Sequence, residues 1–141
     1  MFFDVKVHLP AGTSQNRLQV PNFETRLPNF AHILGDLGRT INFNRIALWG
    51  TNDRISAKVC RGSPVIRRNL NLLQSVFATS GTFKSSNAPI DGIYTATDAL
   101  ELLTTNGAIN TNVTLADASS SLNMDTTNGF VRFIFYPNRL L

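Results

Sequence analysis

The chain has 141 residues, 43% of them hydrophobic and 16% charged, with a single Cys. That is the size of one self-sufficient globular domain, and its polarity comes from Asn, Thr and Ser more than from the roughly 25% charged residues usual for soluble domains. One Cys excludes an intrachain disulfide and a four-thiolate zinc site, and no run approaches the length of an apolar membrane helix.

The net charge of +4 is unevenly placed. Ten basic and four acidic residues up to residue 68 give +6, and three basic and five acidic residues beyond it give −2. Ten of the thirteen cations are Arg, whose planar fork suits protein interfaces as well as phosphates.

Taken in chain order, Phe3, Val5, Val7 and Leu9 alternate with polar residues and predict a half-buried strand ending at Pro10. Residues 10–28 read as an irregular connection or interface segment, with an edge strand near Leu18 and Val20. Asn29 is a reasonable N-cap for a helix carrying Phe30, Ile33, Leu34 and Leu37. Residues 41–61 predict a hairpin, with a bulged strand through Ile41, Phe43 and Leu48-Trp49 and a second one through Ile55, Ala57 and Val59.

Ile66, Leu70, Leu73 and Phe77 predict a helix over 65–79, whose first turn holds Arg67 and Arg68. A short helix capped by Thr95 or Thr97 carries Leu100, Leu102 and Leu103, after a strand beginning at Ile93-Tyr94. Ile109, Val113 and Leu115 predict a strand, and Asn128-Gly129 reads as a tight turn before the apolar strand Phe130 to Tyr136. That last strand reads as covered on both faces, with Arg132 neutralised by a neighbour. No internal repeat, heptad or low-complexity tract stands out. The sum is a single α+β domain over 1–141, with a mostly antiparallel sheet of about five strands and two or three short helices.

Sites for chemistry are sparse. His8 falls on the polar side of the first strand, His32 and Asp36 share a face of the expected helix, and Cys60 lies near Lys58 and Arg61. None of these supplies the third partner that a metal site or a catalytic triad needs. Glu24 and Glu101 stand in unrelated segments, and no phosphate-loop, dinucleotide or nucleophile-elbow motif occurs. Gly35-Asp36-Leu37-Gly38 resembles the GxxG loop of KH RNA-binding domains, which implies a grip on the nucleotide backbone. Asp36 would repel phosphate there and Leu37 offers no donor, so the two glycines read as the end of a helix. Asn112-Val113-Thr114 fits a glycosylation acceptor, but the N-terminus does not read as a secretory signal, so a polar strand face is expected.

The expectation is therefore a protein without catalytic residues, metal or cofactor. Uncharged hydrogen-bonding groups are buried at lower desolvation cost than charges, which suits a surface covered by neighbours. Expected partners are other copies of the chain or other structural proteins, in an intracellular assembly or a virion, as a minor capsid, cement or tail protein would be; no membrane partner is expected. Arg39, Arg45, Arg54, Arg61, Arg67, Arg68 and Trp49 are the candidate interface or anion-binding residues. A nucleic-acid module using the Arg-rich face of residues 39–68 is the alternative.

Overall fold

The computed structural model describes residues 5–10, 12–13, 15–57 and 76–137. They form nine strands: β1 (Leu18–Arg26), β2 (His32–Leu34), β3 (Ile41–Trp49), β4 (Ile55–Ala57), β5 (Val76–Ser85), β6 (Ile90–Thr104), β7 (Ile109–Leu115), β8 (Ser121–Thr126) and β9 (Val131–Pro137). Every pairing among them is parallel. On one face β1, β3, β5, the second half of β6 and β8 follow one another. On the other face the order is β2, β4, the first half of β6, β7 and β9. The chain thus winds through successive rungs, each with one strand per face, and the architecture is a parallel β-solenoid.

This corrects the expected α+β fold with a mostly antiparallel sheet. No described residue is helical, so no described helix is long and apolar enough to cross a membrane. Phe30, Ile33, Leu34 and Leu37 have helical spacing only because turn, strand and turn follow in quick succession; Ile33 points outward at 71% exposure. Leu100 and Leu102 are buried on β6, where alternation governs them, and the predicted helix there does not form. Residues 76–79 of the helix expected over 65–79 begin β5, and the rest of it lies outside the described residues. β3 and β4 are not a hairpin, because they sit on opposite faces. The first predicted strand does not form over 5–10, where Val5 and Val7 are exposed. Within the predicted irregular connection, β1 pairs with β3 along its length.

The core lies between the two faces, where inward residues of successive rungs stack in columns. Phe23, Ile46, Gly81, Leu100 and Leu122 occupy one column, and Thr25, Leu48, Phe83, Leu102 and Met124 the next. Across the interior, His32, Ile55, Ile90, Ile109 and Val131 stack on the second face. The two faces meet where the Phe83 and Tyr94 rings pack with centroids 4.7 Å apart at 54°, a tilted geometry that aromatic pairs favour. Tyr94 donates its hydroxyl proton to the Asp91 carbonyl at 3.0 Å, and burial pushes its pKa up. Gly81 makes room for this pair, since a Cβ there would sit 2.9 Å from the Phe83 ring. Gly92, at φ +142°, adopts a backbone that side-chain-bearing residues avoid, and a Cβ on it would meet the Ala57 carbonyl.

Candidate assembly interface

One corner of the coil repeats the same chemistry rung after rung. Asn52 donates its side-chain amide to Asn29 Oδ1 at 2.8 Å, Asn87 to Asn52 at 2.8 Å, Asn106 to Asn87 at 2.7 Å and Asn128 to Asn106 at 2.7 Å. The main chain follows suit: the N–H groups of Asn52, Asn87, Asn106 and Asn128 donate to the carbonyls of Pro28, Thr51, Ser86 and Thr105. Each of these carbonyls belongs to the residue just before the ladder Asn of the preceding rung. Stacked amides suit this position because each can donate to one neighbour and accept from the other at the ~4.8 Å strand spacing.

Threonines reinforce the last turns of this corner. Thr104 donates to the Ala88 carbonyl and accepts from the Gly107 N–H, both at 3.2 Å, while Thr126 donates to the Gly107 carbonyl at 2.8 Å. Asn106→Ala is expected to remove two ladder bonds and cost about 1–2 kcal/mol, read as a lowered denaturant midpoint. Asn106→Asp keeps an acceptor for Asn128 but loses the donor to Asn87, so it should fall between wild type and alanine.

The two ends of the coil differ. At the start, inward His32 and Leu34 are buried, and Leu9 of the N-terminal segment packs on the core. At the other end, β9 pairs with β7 alone among the described strands. Its inward Val131, Phe133 and Phe135 lie over Ile109, Thr111 and Val113, yet they are 39%, 49% and 43% exposed, where Ile109 and Val113 are at 0%. Phe130 and Ile134 are exposed beside them. The strand expected to be covered on both faces is therefore open, and Arg132 is exposed on it. Apolar side chains exposed along an end strand are the kind of surface an interaction site uses, and a strand edge that no described strand pairs offers main-chain groups to another chain.

The described candidate Arg residues do not form one surface. Arg39 sits in the turn between β2 and β3, with Nε 4.0 Å from Asp36 Oδ2. Arg45 projects from the first face on β3, and Arg54 precedes β4 at the Asn corner, its N–H donating to Asp53 Oδ1. Arg61, Arg67, Arg68 and Cys60 lie outside the described residues. Trp49 ends β3 half-buried, with the Arg26 guanidinium 4.3 Å above its ring; a second such pair joins Arg17 to Phe77 at 4.8 Å. Sequence reasoning missed Arg26 and Arg17, whose ring partners are distant in the chain.

His8 is exposed. His32 and Asp36 do not share a helix face: His32 points into the core from β2 and Asp36 stands in the following turn. No group of three metal-ligating side chains occurs among the described residues. The glycines of the KH-like loop flank a turn between two strands, so the helices that such a loop joins are not there. Asn112 and Thr114 lie half-buried on β7, as expected of a strand face.

Both ring nitrogens of His32 are buried without a hydrogen-bond partner. Burial holds its pKa below the ordinary 6.5, and the Asp53 charge partly opposes this. The unfolded chain therefore takes up its proton first as pH falls. The stability tied to neutral His32 is fully present above 6.5 and is lost as pH drops from there to the depressed native value. His32→Leu should flatten this loss, so that thermal melts at about pH 5 and about pH 7.5 differ less than in wild type.

Compared with protein-family models, characterised proteins and solved structures, the chain matches none.

Proposed function

We propose that the chain is a non-catalytic structural subunit of a larger assembly, acting through protein–protein contacts at the open end of its coil. The observation that carries this is the exposure of Val131, Phe133 and Phe135 at positions that are fully buried one rung earlier. Fully burying an apolar side chain of this size is worth about 1.5–3 kcal/mol, so a partner covering the rung gains several such increments. The amide- and hydroxyl-rich, charge-poor composition supports the same reading, because such groups tolerate being covered. A virion component, whether minor capsid, cement or tail protein, is one assembly this suits; that narrower reading rests on composition by analogy. Among the described residues, Arg39, Arg45 and Arg54 are spread over two corners and a face, which favours the assembly reading over the nucleic-acid alternative.

Mass in solution tests the reading. Light scattering should give a mass above 15.5 kDa that rises with concentration and changes little with salt, as expected of a largely apolar contact. Replacing both Phe133 and Phe135 by Lys should weaken association on the order of a hundredfold with the fold retained. A wild-type chain that stays monomeric at every concentration would contradict it.

A further inference from the structure

We infer that copies of this chain stack head to tail, the last rung of one receiving the first rung of the next. The inference rests on the assembly reading above and names the partner as a second copy. Its basis is that the two ends carry matching hydrogen-bonding groups and charges in the register the coil already uses.

The ladder has a direction. Asn128 gives its amide hydrogens to Asn106, so its Oδ1 faces outward as an acceptor. Asn29 accepts from Asn52 through Oδ1, so its amide nitrogen faces the opposite way as a donor. By the rule of the corner, the outward Thr127 carbonyl is the acceptor that the main-chain N–H of a following Asn would use, and Asn29 offers that N–H. At the start of the second face the direction reverses. His32, Ile55, Ile90 and Ile109 donate to the carbonyls of Arg54, Pro89, Ala108 and Phe130 in the following rung. Val131 N–H is the next donor in that series, and the Ala31 carbonyl, just before β2, is its counterpart. The edges of β1 and β2 that would receive β8 and β9 are unpaired by any described strand.

Charge agrees with the same register. Arg26, Trp49, Lys84, Leu103 and Asp125 form one outer column of the first face. One further rung in step would set Arg26 of the next copy over Asp125. The Arg26 side chain, whose Nε is 3.2 Å from Glu24 Oε1, is still 72% exposed, and Asp125 is exposed too, so the junction would add a second carboxylate to a guanidinium that already holds one. The apolar surface is at the last-rung end, where Val131, Phe133 and Phe135 are exposed. Gly12 lies against Leu18 and Thr40 and Leu9 packs on the core, so Leu9 and Gly12 adjoin the first rung. A two-fold contact between last rungs does not use these groups. With the Asn corners superposed it opposes Oδ1 to Oδ1, and with strands reversed it puts each corner against the far end of the other rung. A head-to-tail contact that does not close extends into chains of copies.

A charge swap on the full chain, followed by sedimentation velocity at low ionic strength, tests this. R26D and D125R should each weaken self-association about fivefold, because like charges meet at every junction. Mixing the two variants, or combining them in one chain, should restore it. If R26D melts below wild type, R26Q removes the charge alone and must weaken association in the same direction. A discrete dimer weakened by D125R and untouched at Arg26, or single variants that mixing does not rescue, would overturn head-to-tail stacking and leave the assembly reading standing. A wild-type monomer at all concentrations would overturn both.

Discussion

Gly107→Ala is expected to cost about 4 kcal/mol or more, and in a chain of this size that removes a large part of the native stability. Gly107 has an ordinary φ, so the cause is space. A Cβ would meet the Ala88 carbonyl oxygen of the rung beneath and stand 2.9 Å from Thr104 Oγ1. Both belong to the corner network, in which Thr104 donates to that same carbonyl. Relieving the clash means lifting one rung off another, which breaks the adjoining ladder bonds between Asn106, Asn87 and Asn128 as well. Gly35→Ala is the internal control. Nothing lies within 4 Å of a Cβ at that position, and the change should stay within about 0.5 kcal/mol of wild type. Chemical denaturation of the two variants side by side separates rung spacing from any general effect of replacing a turn glycine.

Phe83→Ala is expected to cost about 3–5 kcal/mol, the range for removing a fully buried aromatic ring. Phe83 is at 0% exposure, its ring faces Tyr94 across the interior, and its column continues to Leu48 and Leu102 in the adjacent rungs. The interior of a two-faced coil is one side-chain layer thick on each side, so a lost ring leaves a void beside Tyr94, Leu48 and Leu102. Phe83→Leu should recover much of the loss. Because each rung contacts only its neighbours, the damage concentrates on the middle rungs. Hydrogen exchange in β5 and β6 should accelerate more than in β8, and uniform acceleration would contradict the layered account.

How much of this fold the residues disclose depends on what kind of signal each element carries. Alternation identified β7 to its ends and located β3, because a period of two reports a strand with one face buried; the expected bulge in β3 is not there, since β3 keeps an unbroken register with β1 and β5. It does not report the direction of the neighbouring strand, so the parallel order was beyond it. Helical spacing at Phe30, Ile33, Leu34 and Leu37 came from a short strand between two turns, where a β2 of three residues is too brief to show its own period. Asn106-Gly107 and Asn128-Gly129 look like hairpin turns, yet here Asn serves the ladder and Gly permits close approach.

The repeat was the most legible signal missed. Thr-Thr-Asn-Gly occurs at 104–107 and at 126–129, and each ladder Asn precedes an inward strand residue by three positions: His32, Ile55, Ile90, Ile109 and Val131. Ladder spacings of 23, 35, 19 and 22 residues conceal it from any search at fixed period. The open end was half legible, since the composition of β9 is that of a strand that needs covering. Which side lacked its cover was a matter of topology.

Amide hydrogen exchange across β9 at low and high protein concentration tests the central claim most directly. If the last rung is the surface through which copies assemble, Val131 and its neighbours on β9 should pass from fast exchange to protection as concentration rises, while β3, β5 and β6 stay unchanged. Exchange in β9 that is the same at every concentration would contradict it.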